Sequence, residues 1–250
     1  MARVLILRAP GTNGDQETAY AFQQAGAKSV ETVHLNRVLE KPEILQQAEI
    51  LCIPGGFSFG DDIGAGKVFA AKIQHSLYEP MQTFRNAGKL ILGIGNGFQV
   101  LLKSGLLGDP GKMTLTRNSS PQHTHRWVRL QTTPSPCVFL QGIETLYLPI
   151  AHTEGRFATL TPEYLSALQA NQQLPLCYTP AENPGSSADS ATGSCAAGAC
   201  DETGRVFGLM PHPERYIDPT QHPHWTRLDP RPSEGDGLPF FRNAVQYVRT

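Results

Sequence analysis

The sequence lacks the features that would place the chain in a membrane or on nucleic acid. Its 250 residues contain no apolar run of about 18 or more, so no membrane-spanning helix is predicted. The chain also has no excess of charge of either sign, since it contains 21 basic and 22 acidic residues and its formal net charge is −1. The sequence therefore lacks the excess of positive charge that favours binding to nucleic acid or to an anionic membrane. The apolar run that opens the chain is too short for the core of a signal peptide, and we expect a cytoplasmic protein.

Cysteine is scarce and unevenly spaced. The chain has five: Cys52, Cys137, Cys177, Cys195 and Cys200. An odd number at irregular intervals argues against the disulfide framework of a small secreted protein. No second cysteine pair stands at zinc-finger spacing from the last two, so no zinc site is expected there.

Metal-binding patterns are weak elsewhere too. His123 and His125 form an H-x-H pair, and His222 and His224 form another within a proline-rich stretch. Neither pair has an apparent third ligand. We therefore interpret them as exposed strand and loop residues and predict no metal site.

The first half of the chain alternates short apolar segments with helical ones. Strands are predicted over residues 4–7, 29–35, 50–53 and 90–92. Helices are predicted over residues 15–25, 42–48, 67–87 and from the GIGNG turn to residue 102. The alternation predicts an α/β fold, with a flavodoxin-like, doubly wound, mostly parallel sheet and helices on both faces.

The second half is richer in β structure. Its predicted strands cover residues 113–117, 126–132, 146–150 and 206–210, and a terminal helix covers 240–248. Residues 179–200, rich in glycine, serine and alanine, are predicted to form an irregular loop. There is no internal repeat. We interpret the extra strands as a small β-rich insertion within a single domain that spans residues 1–250.

One glycine-rich turn, GIGNGFQ at residues 93–99, has the spacing of a strand–elbow–helix motif. Such an elbow holds one side chain above the end of a parallel sheet, at the N-terminus of the following helix. Flanking glycines avoid clashes in the strained turn, and free N–H groups of the helix attract an oxyanion. Here the central residue is Gly95, which has no side chain. The residues alone leave a second interpretation open, in which the turn packs a helix against a strand or cradles a phosphate.

A second motif, GLMPHPER, follows the last predicted strand. It places His212 and Glu214 two residues apart, on the same side of an extended segment. A carboxylate beside an imidazole fixes its tautomer and stabilises its protonated form, which is the role of the third member of a catalytic triad. Pro211 and Pro213 stiffen the segment. The alternative is a surface turn that carries the two residues by chance.

Several segments, taken in order, resemble the signature segments of one family. They are PGGFSFGDD at 54–62, GIGNGFQVL at 93–101, LPIAHTEGRF at 148–157 and GLMPHPER at 208–215. Together with PGTNGD near the start and DGLPFFRNAVQYV at the end, they resemble the glutaminase subunits of phosphoribosylformylglycinamidine synthase. These subunits are class I, triad-type glutamine amidotransferases of purine biosynthesis. The resemblance covers nearly the whole chain.

The resemblance implies a role for each matching position. The family's nucleophile falls on Gly95, and its catalytic histidine and glutamate fall on His212 and Glu214. Backbone N–H groups form its oxyanion hole, and the matching residues are Gly55, Gly56, Phe57 and Asn96. Gln99 matches a residue that helps to bind the substrate glutamine. The segment 152–157 resembles a loop near the active site, which we interpret as structural or partner-facing rather than as a second acid–base pair of histidine and glutamate.

The resemblance also implies a reaction and its partners. A cysteine thiolate attacks the side-chain amide of glutamine, the histidine protonates the departing ammonia, and water hydrolyses the thioester. No cofactor is implied for this chain. Ammonia passes to a large synthetase subunit that uses ATP and Mg²⁺, and a small third subunit often bridges the two.

The sequence departs from the family at the residue that this reaction needs most. Gly95 stands where the family has its nucleophilic cysteine, and Gly14 stands at a second family cysteine. Removing the nucleophile of a triad lowers turnover by about 10⁶, so we predict absent or very weak glutaminase activity. Cys195 and Cys200, placed in the predicted loop, are poor substitutes because loops hold nucleophiles loosely.

Three other functions stay open at this stage. A pseudo-glutaminase would stabilise or gate the synthetase without hydrolysing glutamine. A flavodoxin-like module would bind a nucleotide or phosphate through GIGNG, which leaves PHPER without a role. Another triad amidotransferase would feed a different acceptor, and the PGGFSFGD and DGLPFFRNAV segments argue against it.

Overall fold

The computed structural model describes residues 2–120, 122–182 and 194–249 of the chain. Its strands are β1 Arg3–Arg8, β2 Ser29–His34, β3 Ile50–Ile53, β4 Leu90–Ile94, β5 Met113–Arg117, β6 Thr124–Thr132, β7 Thr145–His152, β8 Glu154–Thr159, β9 Leu176–Tyr178, β10 Ala196–Cys200 and β11 Val206–Leu209. Its α-helices are α1 Asp15–Gln24, α2 Leu35–Glu40, α3 Lys67–Ser76, α4 Tyr78–Asn86, α5 Asn96–Ser104, α6 Pro162–Ala170 and α7 Gly237–Tyr247. Short 3₁₀ helices lie between them, including Pro42–Gln47, Ser58–Asp61 and Pro213–Arg215.

A nine-stranded sheet joins both halves of the described chain, in the order β2-β1-β3-β4-β11-β10-β9-β6-β7. The first five strands in this order are parallel to one another. The other four are added as antiparallel neighbours. β5 and β8 form a separate two-stranded antiparallel sheet. The α/β prediction is confirmed, and most of the predicted β-rich insertion extends the main sheet.

Helices cover both faces of the parallel part of the sheet, as predicted. Residues of β3 show the two sides, because Leu51 and Ile53 belong to one core cluster whereas Ile50 and Cys52 belong to the other. The first cluster includes side chains of α3, α4 and α5, and the second includes side chains of α1 and α7. Successive side chains of a strand alternate between faces, so a strand between two helical layers is apolar throughout. This explains why β3, β4 and β11 are buried over their whole length.

The single helix predicted over residues 67–87 is wrong. The segment forms two helices, α3 and α4, which meet at Leu77, where φ is −123° and ψ is 2°. Pro80 supplies the reason, since it has no N–H to donate to the carbonyl oxygen of Ser76 and its ring would clash with that carbonyl in a continuous helix. No helix in the described ranges is long and apolar enough to cross a membrane.

The irregular loop predicted over residues 179–200 is wrong at its C-terminal end. Residues 196–200 form β10, a buried strand inside the main sheet. A Cβ built on Gly198 lies 2.8 Å from the carbonyl oxygen of Gly208, so the small residues of this strand allow close packing on β11. Residues 183–193 of the predicted loop lie outside the described residues. The elements α2, β8, β9 and α6 were also not predicted.

Cys177 and Cys195 form a disulfide bond, which the spacing of the cysteines does not predict. The two residues meet because β9 and β10 are antiparallel neighbours, with Cys177 opposite Ala196. Strand pairing, and not sequence spacing, therefore brings the two sulfur atoms together. The other cysteines are free and buried: Cys52, Cys137 and Cys200.

Candidate active site

Turns that follow several strands meet at one edge of the main sheet. β1, β3, β4 and β11 are parallel, so the segments after their carboxyl ends lie at the same edge. These segments are PGTNGD, PGGFSFGD, GIGNG and PHPER. The N–H of Gly14 donates to the carbonyl oxygen of Gly55 at 3.1 Å. A Cβ built on Gly55 lies 2.9 Å from Cε1 of His212, so three of the four turns are in direct contact.

Gly95 forms a tight elbow between β4 and α5. Its φ of 53° and ψ of −110° lie in a region that side-chain-bearing residues rarely adopt. Its N–H donates to the carbonyl oxygen of Leu209 at 2.7 Å, which ties the elbow to the end of β11. The flanking glycines are required by packing, since a Cβ on Gly93 would lie 2.6 Å from the oxygen of Gly97, and one on Gly97 would lie 1.8 Å from the oxygen of Ile53.

Position 95 itself faces an imidazole. A Cβ built on Gly95 lies 3.1 Å from Cε1 and 3.4 Å from Nε2 of His212. A short side chain at this position would therefore point at the ring nitrogen that faces away from Glu214. This is the geometry in which an elbow residue stands beside a base, and glycine places no side chain there.

His212 and Glu214 form a buried pair. Nδ1 of His212 lies 2.7 Å from Oε1 of Glu214, and the two residues are 4% and 1% exposed. The carboxylate can only accept, so Nδ1 carries the proton and Nε2 is left as a proton acceptor on the side of Gly95. The N–H of His212 donates to the carbonyl oxygen of Pro149 at 2.9 Å, which fixes the backbone of the pair against β7.

Position 14 also lies against this pair. A Cβ built on Gly14 lies 3.6 Å from Oε1 of Glu214. Side chains at positions 14 and 95 would therefore both meet the His212–Glu214 pair, the first at the carboxylate and the second at the imidazole.

The residues next to position 95 in sequence and in space carry backbone N–H groups that could bind a ligand. Within the described part of the protein, the N–H groups of Gly55, Gly56 and Asn96 make no hydrogen bond, and Asn96 is the first residue of α5. The N–H of Phe57 differs, because it donates to the carbonyl oxygen of Gly11 at 2.9 Å. Gly55, Gly56 and Asn96 thus fit the role of oxyanion donors, whereas the amide of Phe57 is already engaged.

A cavity of about 180 Å³ opens beside these groups. Gly56, Phe57, Asn96 and Gln99 line it, so four of the predicted substrate-binding residues share one pocket. Residues 151–154 close another side of it. The cavity is smaller than the roughly 300 Å³ at which drug-sized sites begin, which suits a ligand of the size of an amino acid.

A hydrogen-bond network holds the walls of the cavity together. Nδ2 of Asn96 donates to Oδ1 of Asp61 at 3.0 Å and to Oε1 of Gln99 at 3.1 Å. Oδ1 of Asn96 accepts from the hydroxyl of Ser58 at 2.6 Å. Nε2 of Gln99 donates to the carbonyl oxygen of Glu154 at 2.7 Å. Asn96 and Gln99 therefore link the turn after β3 to the start of β8.

His152 lies on the same wall, in a part of the sequence that we interpreted as a loop. Burial lowers its pKa to about 4, and the nearby His212 contributes to the shift. Nδ1 lies 3.0 Å from Oδ1 of Asn118, while Nε2 is buried without a hydrogen-bond partner in the described residues. No acid–base pair with Glu154 is seen, since Asn118 holds the proton-bearing nitrogen of the neutral ring.

The described structure contains no replacement nucleophile at the elbow. Cys195 is disulfide-bonded, and Cys200 is buried in β10 instead of lying in a loop. Cys52 is buried in β3, and desolvation raises its pKa well above the usual value, which opposes thiolate formation. The hydroxyl of Ser58 is engaged by Asn96.

Sequence reasoning missed Asp61, which lines the cavity, and Asn118, which contacts the cavity residue His152. Asp61 stands in the PGGFSFGDD segment, so the motif contained it without indicating its role. Asn118 orients His152 from a segment between β5 and β6. No sequence signal connects Asn118 to the site, because the contact depends on the pairing of distant strands.

Comparisons with known proteins agree with this geometry. A family model described as a CobB/CobQ-like glutamine amidotransferase domain matches residues 1–248. The phosphoribosylformylglycinamidine synthase subunit PurQ of Dehalococcoides mccartyi is 44% identical, over 99% of this chain and 98% of that protein. The protein of the same name from Methanococcus maripaludis strain S2 is 39% identical, over 98% of this chain and 97% of that protein.

Solved structures show the same architecture. A chain in the structure of PurLQS from Thermotoga maritima superposes with a TM-score of 0.72 at 29% identity, and 99% of each chain is covered. A glutamine amidotransferase from Thermotoga maritima shares the fold at a TM-score of 0.56 and 16% identity, covering 99% of this chain and 97% of that one. The chain therefore belongs to the CobB/CobQ-like glutamine amidotransferase family, together with the PurQ subunits of phosphoribosylformylglycinamidine synthase.

Proposed function

We propose that this chain is the glutaminase subunit of a phosphoribosylformylglycinamidine synthase, with a triad that lacks its nucleophile. One observation carries the assignment of the site: a Cβ at position 95 lies 3.4 Å from Nε2 of His212, whose Nδ1 lies 2.7 Å from Oε1 of Glu214. Family membership supports the substrate, because the relatives named PurQ align over almost the whole chain. Residues 1–250 act as a single amidotransferase domain in this proposal.

The remaining residues fit distinct steps of amide hydrolysis. Glutamine enters the cavity beside Gln99, and the carbonyl oxygen of its side-chain amide faces the N–H groups of Gly55, Gly56 and Asn96. His212, oriented by Glu214, accepts a proton from the attacking group and returns it to the departing ammonia. The Gly95 chain has no thiol to attack, so the covalent step does not occur in it.

The proposed partners follow from the family. The ammonia acceptor is a large synthetase subunit that uses ATP and Mg²⁺, and a small subunit bridges the two. This chain needs no cofactor or metal ion of its own, and the complex acts in the cytoplasm. The balanced formal charge of −1 supports a protein partner over nucleic acid.

A second candidate function is favoured specifically by Gly95. The fold around the elbow is intact without the cysteine, so the chain can dock on the synthetase as a non-catalytic pseudo-glutaminase. In that role it stabilises or gates a partner that uses free ammonia.

The assembled complex distinguishes the two functions. The chain is combined with a PurL synthetase and supplied with ATP, Mg²⁺ and the nucleotide acceptor, with either glutamine or an ammonium salt as nitrogen source. Both functions predict product formation from ammonium only while Gly95 is present, so the same assay is repeated with Gly95→Cys. A glutaminase site that lacks only its nucleophile then gains turnover with glutamine, whereas a pseudo-glutaminase does not. If the chain does not co-purify with the synthetase, both assignments fail.

A further inference from the structure

The backbone around His212 is held from two parts of the main sheet. On one side, Met210 follows β11, and its N–H donates to the carbonyl oxygen of Ala197 in β10 at 2.9 Å. On the other side, the N–H of His212 donates to the carbonyl oxygen of Pro149 in β7 at 2.9 Å. Between β10 and β7 the sheet continues through β9 and β6. The position of His212 therefore depends on how firmly these four strands are joined.

The least regular pairing on this path is the junction of β9 with β10. Ala196 lies opposite Cys177, and the register shifts before the next pair at Gly198. By contrast, β6 pairs with β7 along nearly the whole length of both strands and meets β9 in an unbroken register. Backbone hydrogen bonds alone therefore give the β9–β10 junction less support than its neighbours have.

The disulfide between Cys177 and Cys195 lies at this junction. Cys195 comes directly before β10, at the end of the strand where Ala197 contacts the segment that leads to His212. The carbonyl oxygen of Cys195 also accepts from the N–H of Tyr178 at 2.8 Å. The covalent bond therefore strengthens the junction at the point nearest the candidate active site.

The paired cysteines differ from the other three in their access to solvent. Cys177 and Cys195 are partly exposed, whereas the three free cysteines are buried. A small thiol reagent can therefore reach this disulfide while the protein stays folded. In the cytoplasm, where this chain is proposed to act, the disulfides that occur are usually transient and serve catalysis or redox sensing.

We propose that the Cys177–Cys195 disulfide is a redox-sensitive clamp that controls how firmly His212 is held. The inference rests on the proposed function, in which His212 is the catalytic base. On reduction the S–S bond breaks, a small dithiol supplies two electrons and two protons, both cysteines become thiols, and the reagent closes into its own disulfide. Oxidised glutathione reverses the change, since it forms the S–S bond again and leaves as two thiols.

The proton on Nδ1 of His212, which faces Glu214, reports on the clamp without any need for turnover. NMR of the full chain with ¹⁵N-labelled histidine compares protein treated with oxidised glutathione and protein treated with a small dithiol. His212→Gln identifies the signal, and alkylation followed by mass spectrometry identifies the thiols. We expect reduction to speed exchange of this proton with water by about 10- to 100-fold, because the junction opens more often without the cross-link. The midpoint of thermal unfolding should fall by about 5–10 °C.

Variants separate the clamp from general effects of the reagent. Cys177→Ser combined with Cys195→Ser should behave as the reduced chain does and should no longer respond to dithiol. Cys200→Ala removes a cysteine of β10 that is outside the disulfide, and it should keep the response.

Two results would overturn the inference. One is a lower thermal midpoint on reduction with unchanged proton exchange at His212, which would mean that the bond only stabilises the fold. The other is the absence of the Cys177–Cys195 bond from the oxidised protein. Neither result bears on the proposed function, which ammonia release by Gly95→Cys tests separately.

Discussion

Gly95 faces the imidazole of His212, and a Cβ built on the glycine lies 3.4 Å from Nε2 of the ring. On the other side of the same ring, Oε1 of Glu214 lies 2.7 Å from Nδ1. The proposed base and its orienting carboxylate are therefore arranged beside a position that has no side chain. This arrangement separates what the fold contributes to catalysis from what the nucleophile contributes, and each part can be tested alone.

Gly95→Cys should create glutaminase activity. The new sulfur would lie beside Nε2 of His212, which can accept its proton, so the covalent route becomes available. We expect ammonia release from glutamine to rise by several orders of magnitude, up to about 10⁶. The measurement is ammonia production by purified protein, alone and with the synthetase partner.

Gly95→Ala is the matched control for this activity, since it adds the Cβ without the sulfur and should remain inactive. Two results would contradict the assignment of the triad. One is a folded Gly95→Cys protein that stays inactive with its partner. The other is robust ammonia release by the unmodified chain.

Any side chain at position 95 should lower stability. The φ of 53° at Gly95 is strained for residues with a Cβ, and the added atom would also meet Cε1 of His212 at 3.1 Å. We expect Gly95→Ala to reduce the free energy of unfolding by about 1–2 kcal/mol in denaturant titrations. Gly88→Ala, at a φ of 79° with no atom within 4 Å, isolates the backbone contribution and should cost less. A more stable Gly95→Ala protein would show that the elbow is not strained.

Glu214→Gln should impair the activity gained by Gly95→Cys. The amide can present N–H to Nδ1 and so favour the wrong tautomer of His212, which leaves Nε2 protonated and unable to act as a base. We expect a loss of about 10³–10⁴ in kcat with a much smaller change in KM. Steady-state kinetics of the double variant measure this. A decrease confined to KM would assign Glu214 to substrate binding instead.

His152 should make the protein less stable as the pH falls. Its pKa is about 4 in the folded chain, mainly because of burial, against about 6.5 in an unfolded chain. Between these values the unfolded state binds the extra proton, so the stability present above pH 6.5 is lost progressively towards pH 4 and then no further. The two pKa values correspond to a loss on the order of 3 kcal/mol.

Denaturant unfolding at a series of pH values measures this effect. His152→Gln should flatten the curve in that window relative to wild-type protein. His75→Gln, at an exposed position of α3, serves as the control and should leave the curve unchanged. Parallel curves for wild-type and His152→Gln protein would mean that the imidazole titrates normally.

The local patterns predicted much of the parallel core. The strand at 50–53 matches the observed β3, and the elbow at GIGNG joins β4 to α5 as its spacing indicates. Outside this core, the strand at 113–117 matches β5 of the small antiparallel sheet. The secondary-structure prediction failed where the same amino-acid composition is compatible with either a loop or a buried strand. Alanine and glycine at 196–200 indicate a loop by composition, yet they form a buried strand because their small side chains allow β10 to lie close to β11.

The candidate site was predictable to the extent that motifs contain it. His212, Glu214, Gln99 and Asn96 follow from GIGNGFQ and PHPER, and the structure brings them to one edge of the sheet. The engaged amide of Phe57 was not predictable, since its acceptor, Gly11, belongs to a different turn. Hydrogen-bond occupancy of this kind depends on the approach of separate segments.

The sequence by itself determined that the chain forms an α/β layer, that its elbow carries glycine at the centre, and that an imidazole and a carboxylate stand two residues apart. These are local facts, set by periodicity and by residue identity. Only the tertiary structure decided that positions 14 and 95 face the same buried pair, that Cys177 meets Cys195, and that Asp61, His152 and Glu154 share a cavity. Such contacts join segments far apart in the chain, and the order and direction of strands in the sheet determine which segments meet.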